Sequence, residues 1–257
     1  MHPISATIIA LNEEKRIGAC LDSLAGIADE IVVVDSFSTD RTTEICLARG
    51  CRVSQRPFDG FGAQRQYATS LTTHRYVLSI DADEVLSPAL RESILRVKEE
   101  GFGHRVYQMS RLNFYCGYPV THCGWYPDMH IRLFDKRYAN WNLSDLGEKV
   151  IFRDSVRPEV LDGDILHYRC DTREQFRDLM RTHASLRAGV LAAAPEEISS
   201  LAPVIEGVKA WWDTFVMRGG MREGTVGREI AAESYRGAFL AFSAARRLKE
   251  RRRGHKE

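Results

Sequence analysis

Three carboxylates crowd into four residues of this chain, Asp81, Asp83 and Glu84, directly after the apolar run Tyr76–Ile80. Like charges this close repel unless something cationic joins them. A hard divalent ion such as Mg²⁺ or Mn²⁺, bridging to phosphate oxygens, suits such a group. A second Asp-x-Asp serves as a comparison. Asp162-Gly163-Asp164 lies between Val156–Leu161 and Ile165–Tyr168, and reads as an Asp-Gly hairpin turn rather than a site.

The elements needed to position the first group are legible. Tyr76–Ile80 is a short run with β-favouring residues, and Ser87-Pro88 fits an N-cap followed by proline at the first helical position. The acids therefore lie where a strand ends and a helix begins, the place where open α/β sheets hold ligands. Upstream, Ile4–Leu11, Glu30–Val34 and Cys51–Ser54 read as strands. They alternate with helical stretches: Ile17, Leu21 and Leu24 at helical spacing, a helix ending at Gly50, and Phe61–Leu71. Asn12 is expected to cap the first helix, with Glu13 and Glu14 in its first turn. The alternation predicts an α/β fold with a mostly parallel sheet. In such a sheet Asn12-Glu13, Asp35 and Asp81-Ala82-Asp83 converge on one edge. Neither a Gly-x-Gly-x-x-Gly nor a P-loop pattern is present, which leaves phosphates to a metal and basic side chains.

Composition bounds the rest. The 257 residues can bury a substantial core, and 44% hydrophobic with 28% charged residues is ordinary for a water-soluble globular chain. No signal peptide is visible, and no run approaches the roughly 20 apolar residues of a membrane span. The six cysteines show neither CxxC nor zinc spacing and read as reduced thiols. Cys20 and Cys46 are expected on apolar helix faces. Net charge is +1, but Arg246, Arg247, Lys249, Arg251, Arg252, Arg253 and Lys256 stand against only Glu250 and Glu257 at the terminus. A basic tail on a slightly acidic body points to an anionic surface as partner.

Several stretches together match a known family. Ala10-Leu11-Asn12-Glu13-Glu14, Val33-Val34-Asp35 with Ser38-Thr39-Asp40, Gln64-Arg65 and Asp81-Ala82-Asp83-Glu84 resemble the family 2 glycosyltransferases of the GT-A fold, a Rossmann-like sheet flanked by helices. Trp125-Tyr126-Pro127-Asp128, Arg132-Leu133-Phe134, Glu148 and Leu166-His167-Tyr168 look like the small bacterial members that add glucose to the lipopolysaccharide inner core. The resemblance implies inverting, metal-dependent transfer from a UDP-sugar to a lipid-linked saccharide. Leu11, Asn12, Glu13, Asp35, Arg65, Asp81, Ala82 and Arg132 would hold the donor, with Glu13 and Asp35 on the nucleoside and Asp81 on ribose or metal. Asp83, Asp81 and His167 would hold Mg²⁺ or Mn²⁺. Such transfer needs a carboxylate to take the acceptor's proton; Glu148 is the first choice and Asp145 the second. Where relatives usually carry His before this Glu, the chain has Gly147. Plainer roles are also open: His167 as a core histidine, Arg65 and Arg132 as surface ion pairs, Trp125 as packing or as a sugar platform.

The chain is read as a nucleotide-sugar half (1–110), an acceptor half (111–200) and a helical, basic C-terminal extension (201–257). Thr172–Leu191 is predicted helical and 195–203 a loop. In the extension Trp211, Trp212, Phe215, Val216 and Met217 lie among Lys209, Arg218 and Arg222, the composition of a helix in a bilayer interface. Relatives often carry Gly-x-x-Asp-Gly where this chain has Gly220-Met221-Arg222-Glu223-Gly224. The expected location is cytoplasmic, peripheral on the inner face of the inner membrane. Two other readings compete. Asp81-Ala82-Asp83-Glu84-Val85 literally fits the nucleophile motif of haloacid-dehalogenase-type phosphatases, but two βα units precede it. An inactive membrane-docked scaffold is the second, against which the intact acids speak. A nucleic-acid partner is not expected, because the basic charge is confined to one terminus.

Overall fold

A computed structural model of the chain describes residues 2–143, 147–152 and 156–254, with residues 253 and 254 described by backbone alone. Two compact units divide it: Met1–Arg111 with Asp128–His167, and Leu112–Pro127 with Tyr168–Glu257.

The first unit opens as the periodicity predicts. β1 (Ile4–Ala10), α1 (Ile17–Leu24), β2 (Glu30–Asp35), α2 (Thr42–Ala48), β3 (Arg52–Gln55), α3 (Phe61–Ser70) and β4 (Tyr76–Asp81) follow one another. β3, β2, β1 and β4 pair in parallel. Their inner members are buried on both faces, which is why they read as apolar runs rather than alternating ones. α1 buries Ile17, Cys20, Leu21 and Leu24 against this sheet's core. After β4 come β5 (Glu84–Leu86), α4 (Pro88–Glu100), β6 (Val106–Tyr115), β7 (Tyr118–Pro119), β8 (Asp128–Asp135), β9 (Ala139–Trp141), β10 (Val150–Phe152) and β11 (Glu159–Cys170). The full order is β3-β2-β1-β4-β8-β6-β11-β5. β8 enters antiparallel beside β4, and β6 beside β8. The α/β, mostly parallel reading thus holds for the first half of the sheet, and the second half is antiparallel.

Local signals explain the joints. Ser87 caps α4, its Oγ accepting from Leu90 N at 3.3 Å, with Pro88 at the first helical position. Three expectations need correction. Asn12 is not a helix cap: its φ is +56°, α1 begins only at Ile17, and Asn12 Oδ1 instead accepts from Thr39 N at 2.8 Å. Asp162-Gly163-Asp164 is not a hairpin, since it runs inside the single strand β11. Gly163 is there for clearance and φ: a Cβ would lie 2.2 Å from Leu90 N, and φ is +93°. Between Asp83 and α4 an extra strand, β5, begins at Glu84 itself and pairs antiparallel with β11, placing His167 opposite Glu84.

The second unit is helical. α5 (Arg173–Ala193) starts with a capping box, Thr172 with Gln175. α6 (Ala202–Trp212) continues into a π-helical turn (Asp213–Met217) and a 3₁₀ turn (Gly220–Glu223), and α7 (Gly224–Gly254) is the last element described. α5 and α6 both pack on α7. Tyr115, Val120, Cys123, Cys170, Phe176 and Ile230 form the core of this unit, and an alanine seam joins Ala188 and Ala192 to Ala245. All six cysteines are free, and Cys20 and Cys46 are buried as expected.

Candidate active site

Parallel pairing delivers the expected convergence. Ala10 stands opposite Asp35, and Ile9 opposite Asp81, so the ends of β1, β2 and β4 share one sheet edge. The loops that leave these strands clasp each other: Asn12 N donates to Ser38 Oγ (2.8 Å), Glu13 N to Thr42 Oγ1 (2.8 Å) and Glu14 N to Asp40 Oδ2 (3.0 Å). Asn12-Glu13-Glu14 and Ser38-Thr39-Asp40 are thus two halves of one local structure, with Leu11 exposed at its rim. Glu13 lies 3.9 Å from Arg16 across the turn that leads into α1. Asp35 is fully buried. Its Oδ2 accepts from Ser38 N (3.0 Å) and Gln55 Nε2 (3.3 Å), whereas Oδ1 has no partner among the described residues, and neither has Oε1 of buried Gln64. An orphaned buried acceptor costs about 1–3 kcal/mol, so two near one strand end suit a ligand that brings donors.

The charge centre lies at the end of β4. Arg65 reaches it from α3 and Arg132 from β8, and both are almost fully buried. Arg65 Nη1 is 2.5 Å from Asp81 Oδ1, and Arg65 Nη2 is 3.6 Å from Glu148 Oε1. Arg132 Nη2 lies 3.1 Å from Asp81 Oδ2 and 2.9 Å from Glu84 Oε1. Glu84 also receives Asp81 N at 2.9 Å and lies 3.4 Å from Arg111. Burial alone would raise the Asp81 carboxyl, but the charges of Arg65 and then Arg132, with hydrogen bonds from both, hold it well below the usual carboxylate range. Trp141, from β9, sits beneath the guanidinium groups, 4.8 Å from Arg65 and 5.8 Å from Arg132. Gly62 permits this approach, since a Cβ there would lie 2.1 Å from Asn142 O. Nε of Arg65, Nε of Arg132 and Nε1 of Trp141 are buried donors without a partner among the described residues. The cluster therefore holds donors in excess.

Beside it, Asp83 Oδ2 is 3.2 Å from His167 Nε2, and both side chains are partly accessible. Ala82, between the two aspartates, is buried. The donor set tests the expected metal. A carboxylate oxygen and an imidazole nitrogen are ligands that Mg²⁺ or Mn²⁺ accepts, and such ions take their other positions from substrate phosphates and water. Asp83 and His167 fit that role; Asp81 is committed to Arg65 and Arg132. Glu148 is brought to Arg65, while Asp145 lies outside the described residues. Gly147, at φ +71°, holds a conformation that a side chain would strain.

Sequence reasoning missed Trp141, Arg111 and His130, and gave Asp128 no role of its own. Trp141 carries no motif, and its position under two arginines follows only from folding β9 onto α3. Arg111 and Asp128 pair at 2.7 Å, and His130 Nε2 lies 2.9 Å from the same carboxylate. Burial would raise Asp128, but the His130 hydrogen bond and the Arg111 charge hold it far below the ordinary range, which makes it a poor proton acceptor. Antiparallel pairing of Arg111 with Asp128 was the signal available, hidden until β6 and β8 were known as neighbours. In the second unit Trp125 contacts Phe176 and Tyr115, with ring centroids 5.7 and 6.5 Å away, so packing accounts for it.

Residues 5–152, more than half of the chain, match the glycosyl transferase family 2 model. The chain belongs to that family. This glycosyltransferase has the GT-A-type fold that the resemblance implied, and its long C-terminal helix matches the expected extension. It is 31% identical over 228 residues to an uncharacterized glycosyltransferase of Rickettsia typhi, covering 82% of this chain and 75% of that one. It is 33% identical over 175 residues to the lipopolysaccharide core biosynthesis glycosyltransferase LpsC of Rhizobium meliloti, covering 65% of this chain and 63% of LpsC. A crystal structure of glucosyl-3-phosphoglycerate synthase from Mycobacterium tuberculosis, with Mn²⁺ and UDP-glucose, is matched at 27% identity over 44% of each chain with a TM-score of 0.36.

Proposed function

We propose that this glycosyltransferase moves a hexose, glucose first, from a UDP-sugar to a heptose of the lipid-linked lipopolysaccharide core, inverting the anomeric centre. The observation that supports it is the double use of Arg65, which holds Asp81 at one Nη and Glu148 at the other. On this reading Arg65 is the cation for the departing diphosphate, and Glu148 beside it is the carboxylate for the incoming hydroxyl. Asp35 and Gln64, with their orphaned acceptors, serve the nucleoside. Asp83 and His167 would hold Mg²⁺ or Mn²⁺, which when bound neutralises diphosphate charge. Arg65 and Arg132, with their surplus N–H donors, meet negative charge as the sugar–oxygen bond breaks. Glu148 takes the acceptor's proton, and Trp141 keeps water from beneath the two arginines.

The lipid-linked acceptor agrees with the second unit's surface. Leu201 before α6, and Val204, Ile205, Val208 and Trp212 at helical spacing along it, are all exposed, and Met217 and Met221 follow. No helix among the described residues is long and apolar enough to cross a membrane. The reading is therefore a helix lying in the interface of the cytoplasmic leaflet, with the basic end of α7 drawn to anionic headgroups. The test is transfer from UDP-glucose, whose sugar is α-linked, to a heptose-terminated lipid-linked saccharide, with the product's anomeric coupling read by NMR. A β-linked product is expected; an α-linked product refutes inversion, and no transfer from any UDP-hexose refutes the donor.

A further inference from the structure

A second polar constellation lies wholly within the helical unit. A cavity of about 410 Å³ between α5 and α7 is lined by Arg177, Arg181, Glu233 and Arg236, with Met180, Tyr235, Phe239 and Leu240. An adjoining one of about 230 Å³ shares Arg177, Glu233 and Arg236 and adds Arg173, Arg228 and Glu229. Arg173, Arg177 and Arg181 are four residues apart and so share one face of α5. Five arginines thus face two glutamates, and Asp178, one turn from Arg181 on α5, pairs with it at 2.9 Å.

The glutamates do not consume the charge. Glu233 is buried and shared by Arg177 (3.0 Å) and Arg236; Glu229 is held by Arg173 (2.7 Å) and by the Tyr115 hydroxyl (3.0 Å). A guanidinium carries five N–H donors, and one carboxylate occupies at most two of them. The side chains of Arg173, Arg177, Arg181 and Arg236 are half or more exposed. Arg228 donates only to Gly224 O, at 3.5 Å, among the described residues. The other wall is apolar: Phe239 and Leu240 remain exposed, and Tyr235 stacks on Phe239 at 6.1 Å. Gly237 keeps the groove open opposite Met180, whose Cε would lie 3.2 Å from a Cβ there. A groove with forked cations at one end and open apolar surface at the other matches an anion carried on a hydrocarbon body.

We infer that the α5–α7 groove binds a lipid-borne phosphomonoester, the arginines taking the phosphate and Met180, Phe239 and Leu240 the apolar part. The inference does not need the catalytic reading. The probe is dihexanoyl phosphatidic acid below its micelle concentration, titrated calorimetrically into the full chain, with dihexanoyl phosphatidylcholine and inorganic phosphate in parallel. Saturable binding of phosphatidic acid is expected, at least tenfold tighter than either comparison. The double variant R181Q/R228Q removes no bond between the two helices and is expected to weaken binding tenfold or more with an unchanged melting temperature. R181Q alone, at a 69% exposed side chain, is the fallback if the double variant misfolds. Phe239→Ser should weaken the lipid and leave phosphate alone. Absence of saturable binding overturns the inference, as does wild-type affinity in both arginine variants. Equal binding of phosphatidylcholine reduces the groove to an apolar cleft, and equal binding of phosphate to a free-anion site; either overturns it. UDP titrated into the same samples separates this outcome from failure of the nucleotide site.

Discussion

Replacing Arg132 by Met should expose how the charge centre is held. Glu84 is fully buried, and its two strongest contacts are Arg132 Nη2 at 2.9 Å and Asp81 N at 2.9 Å; Arg111 lies farther, at 3.4 Å. Methionine keeps much of the volume and removes the charge, so Glu84 and half of Asp81's compensation are stranded. Breaking a buried pair from one side costs about 3–5 kcal/mol, chiefly because the remaining charge is uncompensated. If that is the cause here, neutralising the stranded partner should return part of the loss. Glu84→Gln retains an oxygen to accept Asp81 N, so the double variant R132M/E84Q should recover at least about 1.5 kcal/mol relative to additivity. Urea unfolding followed by far-UV circular dichroism measures all four corners of the cycle. A single-variant loss below about 1 kcal/mol, the level of an exposed pair, would refute the buried-network account. So would simple additivity in the double variant.

Other consequences are as direct. Glu148→Gln should lower kcat by about 10²–10⁴ while UDP affinity stays the same, as expected for loss of a general base; near-normal turnover would remove Glu148 from that role. Asp81's carboxyl is depressed in the folded state, so its stabilisation is fully present above the unfolded value of about 3.9 and is lost as pH falls through the lower folded value. Asp81→Asn should therefore flatten the acid limb of a stability-versus-pH curve below about pH 4, and an unchanged limb would contradict the assignment. Val208→Ser with Trp212→Ser should reduce binding to phosphatidylglycerol vesicles at all salt concentrations. Removal of residues 246–257 should reduce it mainly at low salt, and unchanged binding in both would leave α6 and the tail merely solvated.

The sequence made the first half of the fold legible because parallel strands buried on both faces announce themselves as apolar runs, with helices between. It also made the sheet-edge convergence legible: Asn12, Asp35 and Asp81 each end a run, and pairing in register does the rest. What escaped was set by long-range packing. Asn12 looks like a helix cap because Asn is a good one, yet its backbone turns left-handed and its side chain serves the loop after β2. Asp162-Gly163 has turn chemistry, but the glycine is needed for clearance against α4. Trp141 and Arg111 join the site through strands whose neighbours could not be ordered from local pattern, since β8 enters between β4 and β6.

The proposed reaction depends on a nucleotide site completed by a metal at Asp83. Calorimetric titration of UDP into the purified chain, with and without Mn²⁺, tests it most directly, alongside Asp83→Ala. Binding is expected to require Mn²⁺ and to be lost in Asp83→Ala, with the variant's melting temperature unchanged. UDP binding that ignores both the metal and the substitution would contradict it.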